Sequence, residues 1–171
     1  MKTRGFDKIS LIQWLTDNNC YVTTATEHQV TELTDKHNKL ILPKRSTKNS
    51  AGYDIFSPID FTLGVGGSIK IPTGFKAYML PDEFLSFYPR SGLGFKYFLR
   101  LANTVGIGDS DYYNNPDNEG HYWLKIRNEG DMEIVVKTGD RIAQCIFQKY
   151  LLADEDNTSE DRIGGLGSTK N

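Results

Sequence analysis

The sequence predicts an all-β protein, a jelly-roll-like β-sandwich with one short helix and an N-terminal insertion. Three observations predict it. Short strand-like runs recur between turn residues from Lys39 onward, long amphipathic helical repeats are few, and 38% hydrophobic with 12% aromatic residues can fill a core. At 171 residues the chain fits one domain, expected over residues 1–161, with 162–171 as a C-terminal arm.

The elements follow in order. Ser10 precedes Leu11, Trp14 and Leu15 at helical spacing, and Asp17-Asn18-Asn19 stops that run. A β-branched segment, Tyr21 to Thr24, comes next, then another helical turn with Val30 and Leu33. Residues 10–38 thus read as an accessory insertion. Leu40-Ile41-Leu42 opens the strand series ahead of Pro43, and Tyr53, Ile55 and Phe61-Thr62-Leu63 continue it. Ser68 to Ile71 alternates, and Pro72-Thr73-Gly74 closes it as a turn. Phe84–Tyr88, Tyr122–Ile126, Glu133–Lys137 and Arg141–Tyr150 complete the set, the last two joined by Gly139-Asp140 as a hairpin. Ser91 is positioned to cap a short helix through Leu93, Phe95 and Lys96.

Charge and composition narrow the function. A formal net charge of −2 gives no basic field for nucleic acid or anionic lipid, although a few placed arginines can still bind a small polyanion. Cys20 and Cys145 lie far apart without a Cys-x-x-Cys spacing, and His28, His37 and His121 lack metal-ligand spacing. With no apolar stretch of membrane length, a soluble cytoplasmic protein is expected.

Four segments could carry chemistry. Ala51-Gly52-Tyr53-Asp54-Ile55 is a turn entering a strand. Pro89-Arg90-Ser91-Gly92-Leu93-Gly94 sets an arginine at a helix start, where unpaired N–H groups and a guanidinium suit phosphate oxygens. Asn103-Thr104-Val105-Gly106-Ile107-Gly108-Asp109-Ser110-Asp111-Tyr112 offers two carboxylates and an aromatic wall in what is otherwise turn chemistry. Arg162-Ile163-Gly164-Gly165-Leu166-Gly167-Ser168-Thr169 could wrap phosphates with backbone donors, though composition alone makes it a mobile arm. Between the last two, Gln144 interrupts an apolar strand and needs a partner if buried. Arginines, glycines and carboxylates without a Cys–His or Ser–His pairing suit metal-assisted attack of water on a phosphate ester or anhydride. Which group acts as base is not given by the pattern.

These segments, together with Gly139-Asp140-Arg141-Ile142-Ala143-Gln144, resemble in order the five motifs of the trimeric dUTPase family. The resemblance spans roughly residues 39–171, with Lys2–Ile9 able to supply a first strand, and phage or Gram-positive bacterial members are the expected near kin. It implies a jelly roll that trimerises with shared active sites, and hydrolysis of dUTP to dUMP and pyrophosphate, limiting uracil in DNA and supplying dUMP. By resemblance Asp109 deprotonates the attacking water, Asn103 and neighbouring backbone read uracil, and Tyr112 packs under the deoxyribose. Arg90, Ser91, Gln144 and Arg162 hold phosphates, Ser168 and Thr169 add donors, and Asp54 holds Mg²⁺ through water. Gly92, Gly106, Leu166 and Gly167 complete the expected substrate contacts, and the arm 162–171 closes over the site.

The chain departs from the family pattern at several places. Leu166 stands where a uracil-stacking Phe is common, Gly108 replaces the usual Ile and should loosen its hairpin, and Tyr113–Gly120 is longer than usual. Two alternatives share these features. A related dCTP deaminase would need Glu where Asp109 stands, and a regulatory member would use the 10–38 insertion to bind a repressor or other protein partner.

Overall fold

The computed structural model describes residues 2–21, 23–160, 162, 164 and 165. Among them four antiparallel sheets build the sandwich. β1 (Gly5–Lys8) pairs with β6 (Phe75–Tyr78), and β4 (Phe61–Leu63) with β11 (Ile134–Val136). β10 (Trp123–Asn128) lies between β5 (Ser68–Pro72) and β8 (Leu99–Leu101). The largest sheet runs β2 (Lys44–Arg45), β3 (Tyr53–Phe56), β12 (Arg141–Lys149), β7 (Glu83–Pro89) and β9 (Gly106–Asp109).

Two-residue alternation decides which side of each strand is inside. On β10, Leu124, Ile126 and Asn128 are buried while Lys125 and Arg127 face solvent. Those apolar side chains join Ile55, Ile71, Phe75, Leu85 and Ile142 in one core. Asn128 is tolerated there because its amide donates to the Leu63 and Met132 carbonyls and its oxygen accepts from the Gly130 N–H.

The insertion is helical. In α1 (Leu11–Asp17) the Ser10 hydroxyl accepts from the Gln13 N–H at 3.1 Å, and Asn19, at φ 55°, turns the chain away. In α2 (Glu27–Lys39) Thr26 and Gln29 form a capping box. Trp14 is fully buried, its indole N–H donating to the Leu33 carbonyl at 3.0 Å. His121, also fully buried, accepts the Gly74 N–H at Nε2 (2.8 Å), so Nδ1 carries the proton and donates to Asp17 at 2.6 Å. Ser10 donates twice to Glu119, which also pairs with Lys76 at 3.1 Å. The apolar side of α1 is therefore committed to this chain, clamped onto the segment 113–121.

Several sequence expectations need correction. Leu40–Leu42 is no strand, because α2 extends to Lys39 and Leu40 caps it, its side chain filling the space beside Gly74. Gly139-Asp140 does not make a hairpin of β11 and β12. β11 pairs with β4 instead, and the turn bonds back to Ser57. Tyr21, Thr23 and Thr24 form a turn held by the Thr24 and Ala25 N–H groups on the Tyr21 carbonyl. Pro72 ends β5 and is not a turn residue, and Ser91 is the first residue of α3 (Ser91–Tyr97), with Arg90 at the cap position.

The clamp gives a first prediction. Asp17→Ala leaves a buried His121 N–H without an acceptor and should cost about 1–3 kcal/mol. Urea unfolding measures it. A loss below about 0.5 kcal/mol, the scale of an ordinary surface substitution, would mean the insertion is anchored by its apolar contacts alone.

Candidate active site

The antiparallel register of β7 and β9 sets the first half of the site, pairing Asp109 with Phe84 and Gly108 with Leu85. Alternation turns Gly106 and Gly108 inward and Ile107 and Asp109 outward. A 3-10 turn over Ser110–Tyr112 then returns Tyr112 to the interior. Its hydroxyl donates to the His121 carbonyl at 3.1 Å and accepts from Asn118 Nδ2 at 2.7 Å. Burial pushes this phenol up, against the opposing pull of Asn118 and Arg162. Asp109 and Asp111 stay on the outside, about half exposed.

Arg162 closes over that surface. Its Nε donates to Asp111 at 2.8 Å, its terminal nitrogen pairs with Asp109, and its guanidinium lies 5.5 Å from the Tyr112 ring centre. Asn115 donates to the Gly164 carbonyl at 3.1 Å and the Gly165 N–H to Asp117 at 3.2 Å. Within the single chain Arg162 thus turns onto its own Asp109, where two carboxylates two residues apart attract one guanidinium. Leu166, Gly167, Ser168 and Thr169 lie outside the described residues.

Gly108 corrects an expectation. Its missing side chain does not loosen the hairpin, because the ring of Tyr122 fills the space. A Cβ there would stand 2.5 Å from the Tyr122 hydroxyl oxygen and 2.6 Å from its ring. Tyr122 is itself packed on Phe75, Phe87 and Tyr112. Asn115, Asn118 and Tyr122 went unnoticed in the sequence, where they look like ordinary loop and strand residues.

The second half lies on β3, β12 and the end of β7. Asp54 sits opposite Gln144, and Gln144 opposite Tyr88. The Asp54 carboxylate takes Arg90 at 2.9 Å on one oxygen, and Ser46 at 2.5 Å with Arg141 at 3.4 Å on the other. Gln144 finds the partner it needs, donating to the Pro89 carbonyl at 3.2 Å. Gly52 lies close beside it, where a Cβ would meet the Gln144 amide oxygen and turn that amide aside. Ser91 and Gly92 are exposed, and Arg90, Ser91, Phe98 and Gln144 line a cavity of about 560 Å³.

The two halves stand apart. Asp109, Tyr112, Tyr122 and Arg162 line a cavity of about 220 Å³ that shares no described residue with the first. Asp109 lies opposite Phe84, whereas Arg90 follows six residues later, about 20 Å along an extended strand. Asn103 is exposed in the turn before β9, its carbonyl accepting from the Val105 N–H.

Among the described residues no three His, Cys, Asp or Glu side chains converge as a metal site. Asp54, the residue expected to meet magnesium, already has both oxygens engaged. The donor set does not fit a cation held directly by protein. Both cysteines are buried and unpaired, and burial pushes the Cys145 thiol well up, away from nucleophilic use. No described helix is long and apolar enough to cross a membrane.

The fold and site define a β-sandwich protein whose candidate site sets arginines beside carboxylates. The dUTPase family model matches residues 38–169. A deoxyuridine 5′-triphosphate nucleotidohydrolase of Lactococcus lactis subsp. lactis (strain IL1403) is 48% identical over 130 residues, covering 75% of this chain and 87% of its own. One from Desulfitobacterium hafniense (strain DSM 10664 / DCB-2) is 39% identical over 137 residues, covering 75% and 86%. The crystal structure of dUTPase from Streptococcus mutans aligns with TM-score 0.64 at 35% identity, over 88% of this chain and 98% of that one. This chain belongs to the dUTPase family.

The packing at Gly108 gives a second prediction. Gly108→Ala sets a methyl against the Tyr122 ring, which is wedged between other aromatics, so overpacking should cost about 1–3 kcal/mol. A thermal melt reads it. An unshifted melt would show that Tyr122 moves freely away.

Proposed function

We propose that this chain hydrolyses dUTP to dUMP and pyrophosphate in a homotrimer whose active sites are shared between subunits. One observation carries the shared site: Asp109 and Arg90 lie roughly 20 Å of strand apart in the same chain. A general base must lie within hydrogen-bond reach of the water it activates, and that water must reach a phosphorus held by the arginines. Bringing Asp109 of one subunit to Arg90, Ser91, Gly92 and Gln144 of another meets both demands. Closed cyclic symmetry repeats the arrangement at every interface.

Asp109 is suited to the base's role as an exposed carboxylate fixed at a strand end. It takes a proton as the water oxygen bonds to the α-phosphorus and the bond to the bridging oxygen of pyrophosphate breaks. Arg90, set in place by Asp54, and Gln144 offer donors to the phosphate oxygens. Arg162 would add a further donor from a third subunit, leaving Asp109 free for water, and Leu166 to Thr169 would close over the nucleotide. Tyr112 walls the sugar and leaves no room for a 2′-hydroxyl, while Asn103 and the Gly106 backbone read uracil. Magnesium would arrive on the triphosphate with its own oxygen ligands, and Asp54 would meet it through water.

Asp109→Asn should keep the fold while turnover falls about 10²–10⁴-fold, read as pyrophosphate release. Retention of more than about a tenth of wild-type turnover would move the role elsewhere, Asp111 being next in line.

Sharing is tested by mixing. Asp109→Asn and Arg162→Ala proteins should each be nearly inactive, and equal amounts unfolded and refolded together should recover about a quarter of the sites. Each residue, drawn from a different subunit, is then intact with a chance of about one half. No recovery, with trimers confirmed by light scattering, would mean that Arg162 serves the Asp109 of its own chain.

A further inference from the structure

Tyr122 holds the one buried side-chain polar atom among the described residues that has no hydrogen-bond partner. Native structures rarely leave a hydroxyl this way, since the lost hydration is uncompensated. Its position is not slack. The Tyr122 N–H donates to Phe75, its carbonyl accepts from Thr73 twice, and three aromatic rings pack on its own. The residue is only 6% exposed, yet it lines the cavity of Asp109, Tyr112 and Arg162. The hydroxyl points at Gly108 of β9, where any larger residue would take the space it fills. Burial pushes the phenol far up, and Tyr112 and Asp109 push the same way, so at neutral pH it is an O–H and can donate.

The neighbouring chemistry restricts what this donor can meet. Asp109 is acceptor-only when ionised. A group lying between the two must accept from Tyr122 and donate to Asp109, which describes a hydroxyl. We propose that the Tyr122 hydroxyl, admitted by the gap at Gly108, donates a hydrogen bond to a hydroxyl oxygen bound beside Asp109. This rests on the nucleotide reading of the site, which offers two such oxygens, the sugar 3′-hydroxyl and the attacking water. Tyr122 then contacts the nucleotide or the attacking water directly, and Gly108 is its necessary counterpart.

Tyr122→Phe removes the oxygen and keeps the ring. Calorimetry with α,β-imido-dUTP and its 3′-deoxy counterpart, beside steady-state turnover of dUTP, separates the sources. If the partner is the 3′-hydroxyl, the variant binds the parent analogue about 3- to 10-fold more weakly and the 3′-deoxy analogue as wild type does. If it is the water, both affinities stay the same and kcat falls about 3- to 10-fold. In either case the melting temperature holds or rises, because an unpaired buried hydroxyl is gone. A variant that differs from wild type by less than about twofold in all three readouts overturns the role of Tyr122. Wild-type protein that binds neither analogue and hydrolyses no dUTP overturns the nucleotide reading and this proposal with it.

Discussion

The hydrogen-bond ladder along β7 is the constraint from which the site follows. Seven residues, Glu83–Pro89, pair with β12 on one side, and four of them, Phe84–Phe87, pair with β9 on the other. One end of this strand delivers Arg90 to Asp54 and Gln144, and the other delivers Asp109. Register in an antiparallel sheet is set by which side chains are buried, and a one-residue slip would turn the inward Gly106 and Gly108 outward. The separation between Arg90 and Asp109 is therefore as rigid as the sheet. Under the proposed function, a chain built this way completes its site by presenting its two ends to different neighbours.

A second dependence runs through buried polar groups. Tyr112 can be an inflexible wall because its hydroxyl is fixed by Asn118 and by the His121 carbonyl. His121 is fixed in turn by Gly74 and Asp17, and Asp17 belongs to the insertion. Thus α1 is linked to Tyr112 through His121, whose imidazole has both nitrogens satisfied and whose carbonyl takes the Tyr112 hydroxyl. Satisfied networks of this kind specify a single geometry, whereas a partly satisfied one would be worse than apolar packing. Helices that looked accessory in the sequence hold the segment on which Gly164 and Gly165 dock.

Much of this was legible beforehand because local chemistry and the fold agree. The helical spacing after Ser10 and the strand-like run from Tyr122 to Ile126 read directly from residue types, and the order of the five segments reads from their resemblance to the family's motifs. The errors came where distant contacts decide. Leu40–Leu42 has strand composition, but the extension of α2 and the space beside Gly74 claim it. Gly139-Asp140 has hairpin chemistry, but β4 is the partner that β11 finds. Gly108 looked like a weakness because its filler, Tyr122, lies fourteen residues on in the sequence and only packing across the core brings them together. A void and the ring that occupies it are a pair, and no pattern confined to a local window contains both.

Charge pairing ties these pieces to chemistry. The chain's net charge of −2 conceals guanidinium groups, each held by a carboxylate: Arg90 and Arg141 on Asp54, Arg162 on Asp109 and Asp111. Such pairs contribute little to stability where water reaches them, since screening offsets most of the Coulomb gain. Their value lies in orientation. An arginine already fixed by one carboxylate oxygen loses less freedom when a phosphate takes its remaining N–H groups. Arg162 differs from Arg90 in this respect. Asp54 can keep Arg90 while a phosphate binds, but Asp109 cannot both pair with Arg162 and accept a proton from water. In the single chain Asp109 is therefore paired with its own Arg162. In the proposed trimer, passing Arg162 to a neighbouring subunit would free Asp109 for water and supply a cation there, which would couple assembly to activity.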